Sequence, residues 1–392
     1  MIEVADILRL HGPAYRQHYQ LLPSHQRVLT DLVRCRTAAC GGHLYACDHC
    51  GHPHYSYHSC GNRHCPKCHG QQTERWLARH QDQLLACPYY LLTFTLPQPL
   101  RALAYANQKA IYGLLLSSAA AALQKLAWDP KFVGGQLGIL AVLHTWTRAL
   151  LDHPHAHLLV TAGGLSADGQ HWVHPQNPAF LVPCFALSKI FQGKFKAGLK
   201  KLGLLHQVPA CVWRQKWVVH CQHAGSGLKV LDYLGRYVFR TAISNRRLEA
   251  FDHGQVTFGY RDNRTQQPRH VSVPAEEFIR RFLRHVLPKG FVKVRAYGLW
   301  SARAADKLPA ARALLAPAAP SSTPPTQLAS GSQADPSPAN PPAPVPPQPC
   351  PQCKIGHLIW VRQLPRQPRP WSAAWVPRPR PRDPSTEQAR GP

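Results

Sequence analysis

The chain has 392 residues and carries 46 Lys plus Arg against 19 Asp plus Glu, a formal net charge of +27. Such a length supplies at least one large core and excludes a peptide-sized binder, while the positive excess points to a polyanionic partner, nucleic acid before an anionic membrane surface. Its most apolar stretch, Ile111 to Leu123, is broken by Gly113, Ser117 and Ser118 and falls short of the about 20 apolar residues of a span; the start has early acidic residues and no apolar run of a signal peptide, so a cytoplasmic, nucleoid-associated protein with no membrane partner is expected.

Residues 1–85 begin with a helical lead-in, Ala14 to Arg34, and continue into a Cys/His cluster. Seven of the 13 cysteines lie between Cys35 and Cys68. In a reducing compartment, pairs at CxxC spacing are metal ligands more often than disulfides, and an odd total does not close a disulfide framework. Cys47-x2-Cys50 and Cys65-x2-Cys68 are 14 residues apart, the arrangement in which two knuckle turns give four thiolates to one tetrahedral Zn2+. Four thiolates leave no open position for a substrate, so that zinc is structural. Cys35, Cys40, Cys60 and His64, with His54 or His58, suffice for a second ion whose ligand set the spacing leaves open. Arg63 and Lys67 stand between the ligands, where they can meet phosphate.

Strand and helix patterns alternate over 86–305. Tyr89 to Leu96, Leu137 to Arg148, His155 to Thr161 and Gln255 to Tyr260 have the β-former content of strands. Ala186 to Leu205 places Leu187, Ile190, Phe191, Phe195, Leu199 and Leu202 at helical spacing, with Lys194 and Lys196 among lysines on the other faces. Those lysines solvate the helix or contact phosphate.

The stretch His153-Pro154-His155-Ala156-His157 sets histidines at alternate positions. In a strand His155 and His157 share one face, with Ala156 and Leu158 turned to the core, and two adjacent imidazoles chelate a cation. His144 on the preceding strand comes close to both if the connection near Ala149 to Pro154 is antiparallel. His153 competes as third ligand, but beside Pro154 it reads as a loop residue. Imidazoles suit manganese or zinc better than magnesium.

Tyr233 and Tyr237, in VLDYLGRYVFRTAISNRRL, are four apart and share a helix face; Arg236 and Arg240 bracket Tyr237, and Arg246 and Arg247 follow. Tyrosines at this spacing also suit plain packing. A phenol with a pKa near 10 attacks a phosphodiester at neutral pH only with help, and a cation on the scissile phosphate supplies it. Arg280, Arg281, Lys289, Lys293 and Arg295 add further basic positions. Residues 306–349 form a Pro-rich linker with too little apolar content to pack, and 350–392 a short knuckle, CPQCKIGHL, with a basic tail. Cys350 and Cys353 with His357 offer part of another zinc site.

The segments SCGNRHCPKC, LHTWTRALLDHPHAHLLV, DYLGRYVFR and EEFIRRFLRHVLPKGFVKVRAYG, in this order, resemble the bacterial rolling-circle transposases of the insertion-sequence-ninety-one type, two-tyrosine HUH endonucleases; the likeness covers most of residues 5–304. It implies an HUH nuclease core with a central antiparallel sheet; with the N-terminal zinc-ribbon-like domain and the disordered Pro-rich tail read above, the expected fold is α+β, the sheet flanked by helices. It further implies His155 and His157 as the HUH pair with magnesium or manganese, Tyr233 and Tyr237 as catalytic tyrosines, and nicking and joining of single-stranded DNA at element ends and target through a 5′-phosphotyrosine. A plasmid replication initiator or relaxase shares that chemistry. A zinc-dependent DNA-binding regulator without catalysis accounts for cysteines and charge but leaves the histidine and tyrosine pairs unexplained. A zinc hydrolase using His144, His155 and His157 needs a carboxylate base, and only Asp152 is near in sequence.

Overall fold

The structure, a computed structural model, describes residues 1–68, 73–74, 84–177, 180–226, 238, 240–262, 265–316 and 348–369. In chain order these form α1 (Val4–His18), α2 (Pro23–Arg34), β1 (Gly42–Cys47), β2 (Pro53–Tyr57), β3 (Pro88–Thr95), α3 (Arg101–Ala106), α4 (Gln108–Ala127), β4 (Gly138–Trp146), β5 (Asp152–Thr161), β6 (Gly164–Leu165) and β7 (Trp172–Val173). There follow α5 (Cys184–Lys201), α6 (Cys211–Arg214), β8 (Val219–Ser226), β9 (Leu248–Asp252), β10 (Gln255–Arg261), β11 (Pro268–Pro274), α7 (Ala275–Leu283), β12 (Val294–Gly298), α8 (Lys307–Leu315) and β13 (Leu358–Leu364). The fold is mixed α+β with antiparallel sheets.

The chain divides into two compact units, Met1–Val33 with Cys60–Pro344, and Arg34–Ser59 with Val345–Pro392. This departs from the expected division into 1–85, 86–305, 306–349 and 350–392, because the C-terminal knuckle and β13 belong with β1 and β2. The Pro-rich stretch 317–347 and the tail from 370 lie outside the described residues.

The larger unit is built on a five-stranded sheet in the order β12-β4-β5-β3-β8, antiparallel at every pairing. Side chains alternate across it as the pleat requires. Leu92 and Phe94 of β3, Ala141 and Leu143 of β4, and Ala156 and Leu158 of β5 face a core filled from α4 and α5 by Leu115, Leu123, Phe191 and Phe195. The Phe94 and Phe191 rings meet edge to face at 5.1 Å. Each large side chain so buried contributes about 1.5–3 kcal/mol. Tyr89, Leu140, Val142 and Leu159 point to the opposite face, into a smaller core with Leu299.

Among the described residues, α4 is long and apolar enough to cross a membrane by length and composition, contrary to the expectation from sequence. Its glycine and serines interrupt the apolar run without ending the helix, and Ile111, Tyr112, Leu115, Leu116, Ser118 and Ala119 are buried against the sheet and α5. The expected lead-in is two helices, α1 and α2, the second starting at Pro23, whose missing N–H suits the first turn. The helix expected over 186–205 ends at Lys201, where Gly203 takes a left-handed φ of 69°.

In the smaller unit β1 is the middle strand of a three-stranded sheet, between β13 and β2. Both pairings are antiparallel, Ala46 lying opposite Ile359 on one side and Pro53 on the other.

Candidate functional site

The antiparallel pairing of β4 with β5 places His144 directly opposite His155 and Val142 opposite His157. His144, His155 and His157 therefore emerge on one face, opposite the α4–α5 core, and offer ring nitrogens all within 4.8 Å of one another. Ring centroids are 5.5 Å apart for His144–His155, 4.8 Å for His144–His157 and 4.9 Å for His155–His157. The turn is tight: the Thr147 N–H donates to the Leu151 carbonyl at 2.9 Å, and Leu150 takes a left-handed φ of 58°.

A backbone carbonyl fixes which nitrogen His155 presents. His155 Nδ1 donates to the His153 carbonyl at 2.6 Å, which leaves Nε2 with its lone pair for a cation. His157 Nδ1 lies 3.1 Å from the Thr93 hydroxyl of β3. Burial holds the His155 pKa down at about 4; burial, then His155 and Arg240, hold that of His157 down at about 2. Neutral imidazoles are the form that binds metal. His144 is 2% exposed and stacks on Trp146 at 4.8 Å. His153 is engaged elsewhere, its Nδ1 accepting from Arg101 at 2.8 Å, and is not one of the converging histidines.

Three converging imidazoles on adjacent strands fit a divalent cation that takes nitrogen donors, whereas magnesium favours oxygen.

An open cleft of about 660 Å³ lies over the histidines, with Arg148, Arg240 and Arg247 on its walls beside Thr93, Thr95 and His220. The arginines differ in freedom. Arg247 is half-buried: its Nε donates to the Gly259 carbonyl at 2.8 Å, a second nitrogen donates to the Arg148 carbonyl, and its guanidinium sits 5.6 Å from the centre of the Phe258 ring. Burial, then the neighbouring Arg240 and Arg148, lower its pKa to about 10. Arg240 is exposed, and its carbonyl accepts from Lys293 Nζ at 3.3 Å. Burial lowers the Lys293 pKa to about 8.

Arg246 is exposed on the 3-10 turn Asn245–Arg247. Lys194 and Lys196 are on α5 and do not line the cleft; Lys196 Nζ is 5.3 Å from the centre of the Trp213 ring. Arg63, expected to meet phosphate, donates to the Phe291 carbonyl at 2.7 Å, and Lys67 pairs with Glu3 at 2.7 Å. Arg280 and Arg281 both clamp Glu277. Tyr233, Tyr237 and Arg236 lie outside the described residues. Thr93, Thr95, Arg148 and His220 were not anticipated. The two threonines interrupt the apolar run YYLLTFTL at alternate positions, the same period-two signal that marks the histidines, and His220 sits opposite Thr93 on β8.

The cysteines group differently from the expected single set of Cys47, Cys50, Cys65 and Cys68. In the larger unit Cys65 and Cys68 converge with Cys60, the Cys60–Cys68 sulfurs being 3.5 Å apart. In the smaller unit Cys47 and Cys50 converge with Cys350 and Cys353. Cys40 Sγ donates to the Arg34 carbonyl at 3.1 Å, and burial raises its pKa. His64 Nε2 accepts from the Leu287 N–H at 3.4 Å. Among the described residues neither belongs to a converging cysteine group.

Residues 138–307 match a family described as "Putative transposase", and residues 7–96 match one described as "Transposase zinc-binding domain". The chain is 41% identical over 340 residues to the "Putative transposase y4qJ" of Sinorhizobium fredii (strain NBRC 101917 / NGR234), covering 81% of this chain and 85% of that protein. It is 29% identical over 326 residues to the "Transposase for insertion sequence element IS801" of Pseudomonas savastanoi pv. phaseolicola, covering 78% of each. No solved structure matches it.

Proposed function

This chain belongs to the transposases with the insertion-sequence-ninety-one type of zinc-binding domain, and from that premise we propose that it nicks and joins single-stranded DNA at the ends of its own element through a 5′-phosphotyrosine. The observation that carries this reading is the convergence of His144, His155 and His157 on the floor of a cleft walled by arginines.

In this mechanism the exposed Arg240 draws the phosphate backbone into the cleft, while Arg148 donates to the Arg261 carbonyl at 2.6 Å and shapes the wall. A manganese or magnesium ion held by His144, His155 and His157, with manganese better suited to imidazole, would offset the charge that builds on the scissile phosphate. The hydroxyl of Tyr233 or Tyr237 attacks phosphorus; the new bond joins the phenolic oxygen to phosphorus, and the bond to the 3′ oxygen breaks. The phenolic proton passes to the 3′ oxygen by way of solvent, leaving a free 3′-hydroxyl. The second tyrosine then serves the second strand. Thr93 holds the His157 ring and the His153 carbonyl holds that of His155, so the donors are set before DNA arrives. The zinc-binding cysteines hold structure and take no part in bond breaking.

The test incubates purified protein with labelled single-stranded oligonucleotides from the flanks of its own gene, with manganese or with EDTA, and resolves the products on a denaturing gel. A metal-dependent covalent protein–DNA species, lost in Tyr233→Phe/Tyr237→Phe, is expected. Binding to both strands of both flanks without any adduct would overturn the reading.

A further inference from the structure

We propose that Cys47, Cys50, Cys350 and Cys353 together hold one zinc ion, so that the C-terminal CPQC knuckle completes a site begun about 300 residues earlier. This does not rest on the nuclease reading. All four sulfurs lie within 4.8 Å of one another. The Cys47–Cys353 sulfurs are 3.7 Å apart and the Cys50–Cys350 sulfurs 3.8 Å, across sequence separations of 306 and 300 residues. A tetrahedron of zinc–sulfur bonds about 2.3 Å long has edges of about 3.8 Å. A disulfide is only about 2.05 Å long. The spacing is that of thiolates around an ion.

The two halves are the same turn used twice. The Gly51 N–H donates to the Cys47 carbonyl at 3.0 Å, and the Lys354 N–H donates to the Cys350 carbonyl at 2.9 Å. Gly51 and Lys354 follow the second cysteine of each pair, both left-handed, with φ of 66° and 60°. Cys47 Sγ accepts from the N–H groups of His49 and Cys50, and Cys353 Sγ from that of Gly356, each at 3.4 Å. When the ion binds, the cysteine protons pass to solvent and four sulfur–metal bonds form.

The surrounding backbone brings the halves together. The Asp48 N–H donates to the His357 carbonyl at 3.1 Å, and the His357 N–H donates to Asp48 Oδ1 at 2.7 Å. A Cβ at Gly356 would come within 2.7 Å of Cys47 Sγ, so only glycine allows that approach. β13 then pairs with β1 along its length. The signal was present in the sequence as a third CxxC, with a glycine three residues after it.

The experiment measures zinc by mass spectrometry on the full-length protein. Cys47→Ser/Cys50→Ser and Cys350→Ser/Cys353→Ser should each lose one zinc per chain relative to the parent, and the quadruple variant should lose no more than one. Cys184→Ser/Cys211→Ser should lose none. In the unaltered protein, where folding of variants is not in question, alkylation mapped by peptide mass should find Cys47, Cys50, Cys350 and Cys353 protected together and released together by a chelator. The inference is overturned if the two double variants have additive losses, if the C-terminal pair loses no zinc on mutation, or if Cys350 and Cys353 alkylate at once while Cys47 and Cys50 stay protected.

Discussion

His144 and His155 stand directly opposite each other across β4 and β5, their ring centroids 5.5 Å apart. The antiparallel register thus brings a third imidazole to two that sequence spacing separates from it. If the three rings hold the catalytic cation, His144→Ala leaves two donors and weakens the site. Adduct formation at limiting manganese should fall by about 100-fold or more, with partial recovery at high manganese, given that loss of even an outer partner costs about 10–100-fold in affinity. A manganese titration of adduct yield checks this, and an unchanged midpoint would remove His144 from the site.

Thr93 tests the outer layer. Its hydroxyl is the partner of His157 Nδ1 at 3.1 Å, and Thr93→Val keeps the shape while removing that partner. Manganese affinity should weaken by about 10-fold, while stability falls by about 0.5–1.5 kcal/mol because one hydrogen bond is lost. The two effects separate in a metal titration and a urea melt; a loss of stability with unchanged affinity would show that Thr93 only packs.

The alternation of His155, Ala156 and His157 was legible because a strand's period of two needs no tertiary information, and His144 because a short turn leaves few registers. The partners of the cysteines were not legible. CxxC spacing specifies a local turn and is silent on which second turn joins it. Cys65 and Cys68 are the nearest such pair to Cys50, whereas the pair that meets it, Cys350 and Cys353, follows the stretch 317–347. Arg247 misled for a related reason: a basic residue reads as a phosphate contact until its guanidinium is found on the Gly259 and Arg148 carbonyls. The central sheet was visible as β-former runs, but its order, with β12 and β8 at the edges, depends on long-range pairing that local pattern does not encode.

That difference between arginines predicts two phenotypes. Arg240→Ala should weaken single-stranded DNA binding about equally across sequences and reduce the salt slope of log K by about 0.7, the share of one phosphate contact on a single strand. Arg247→Lys keeps the charge but loses the fork that spans two carbonyls, so it should lower the unfolding midpoint with little change in the salt slope. Binding measured by fluorescence anisotropy at several salt concentrations, beside thermal melts, distinguishes them. Equal salt-slope changes for both would refute the assignment.

Acid sensitivity follows from two buried histidines apart from the three converging on the cleft. His25 on α2 is 7% exposed and His285 is 2% exposed, and burial lowers both pKa values from 6.5 to about 4. In His285 the Nε2–H donates to the Leu150 carbonyl at 3.2 Å, which opposes the shift without cancelling it. Below pH 6.5 the unfolded chain takes up protons that the folded chain refuses, so the stability these neutral rings contribute is complete above pH 6.5 and drains away as pH falls toward 4. Each shift corresponds to at most about 3–4 kcal/mol. The unfolding midpoint should therefore drop steeply between pH 6.5 and 4, and His25→Leu should flatten the drop while leaving the midpoint at pH 8 within a few degrees. A variant whose midpoint falls in parallel with the parent over that window would show that His25 is not among the groups that take up those protons.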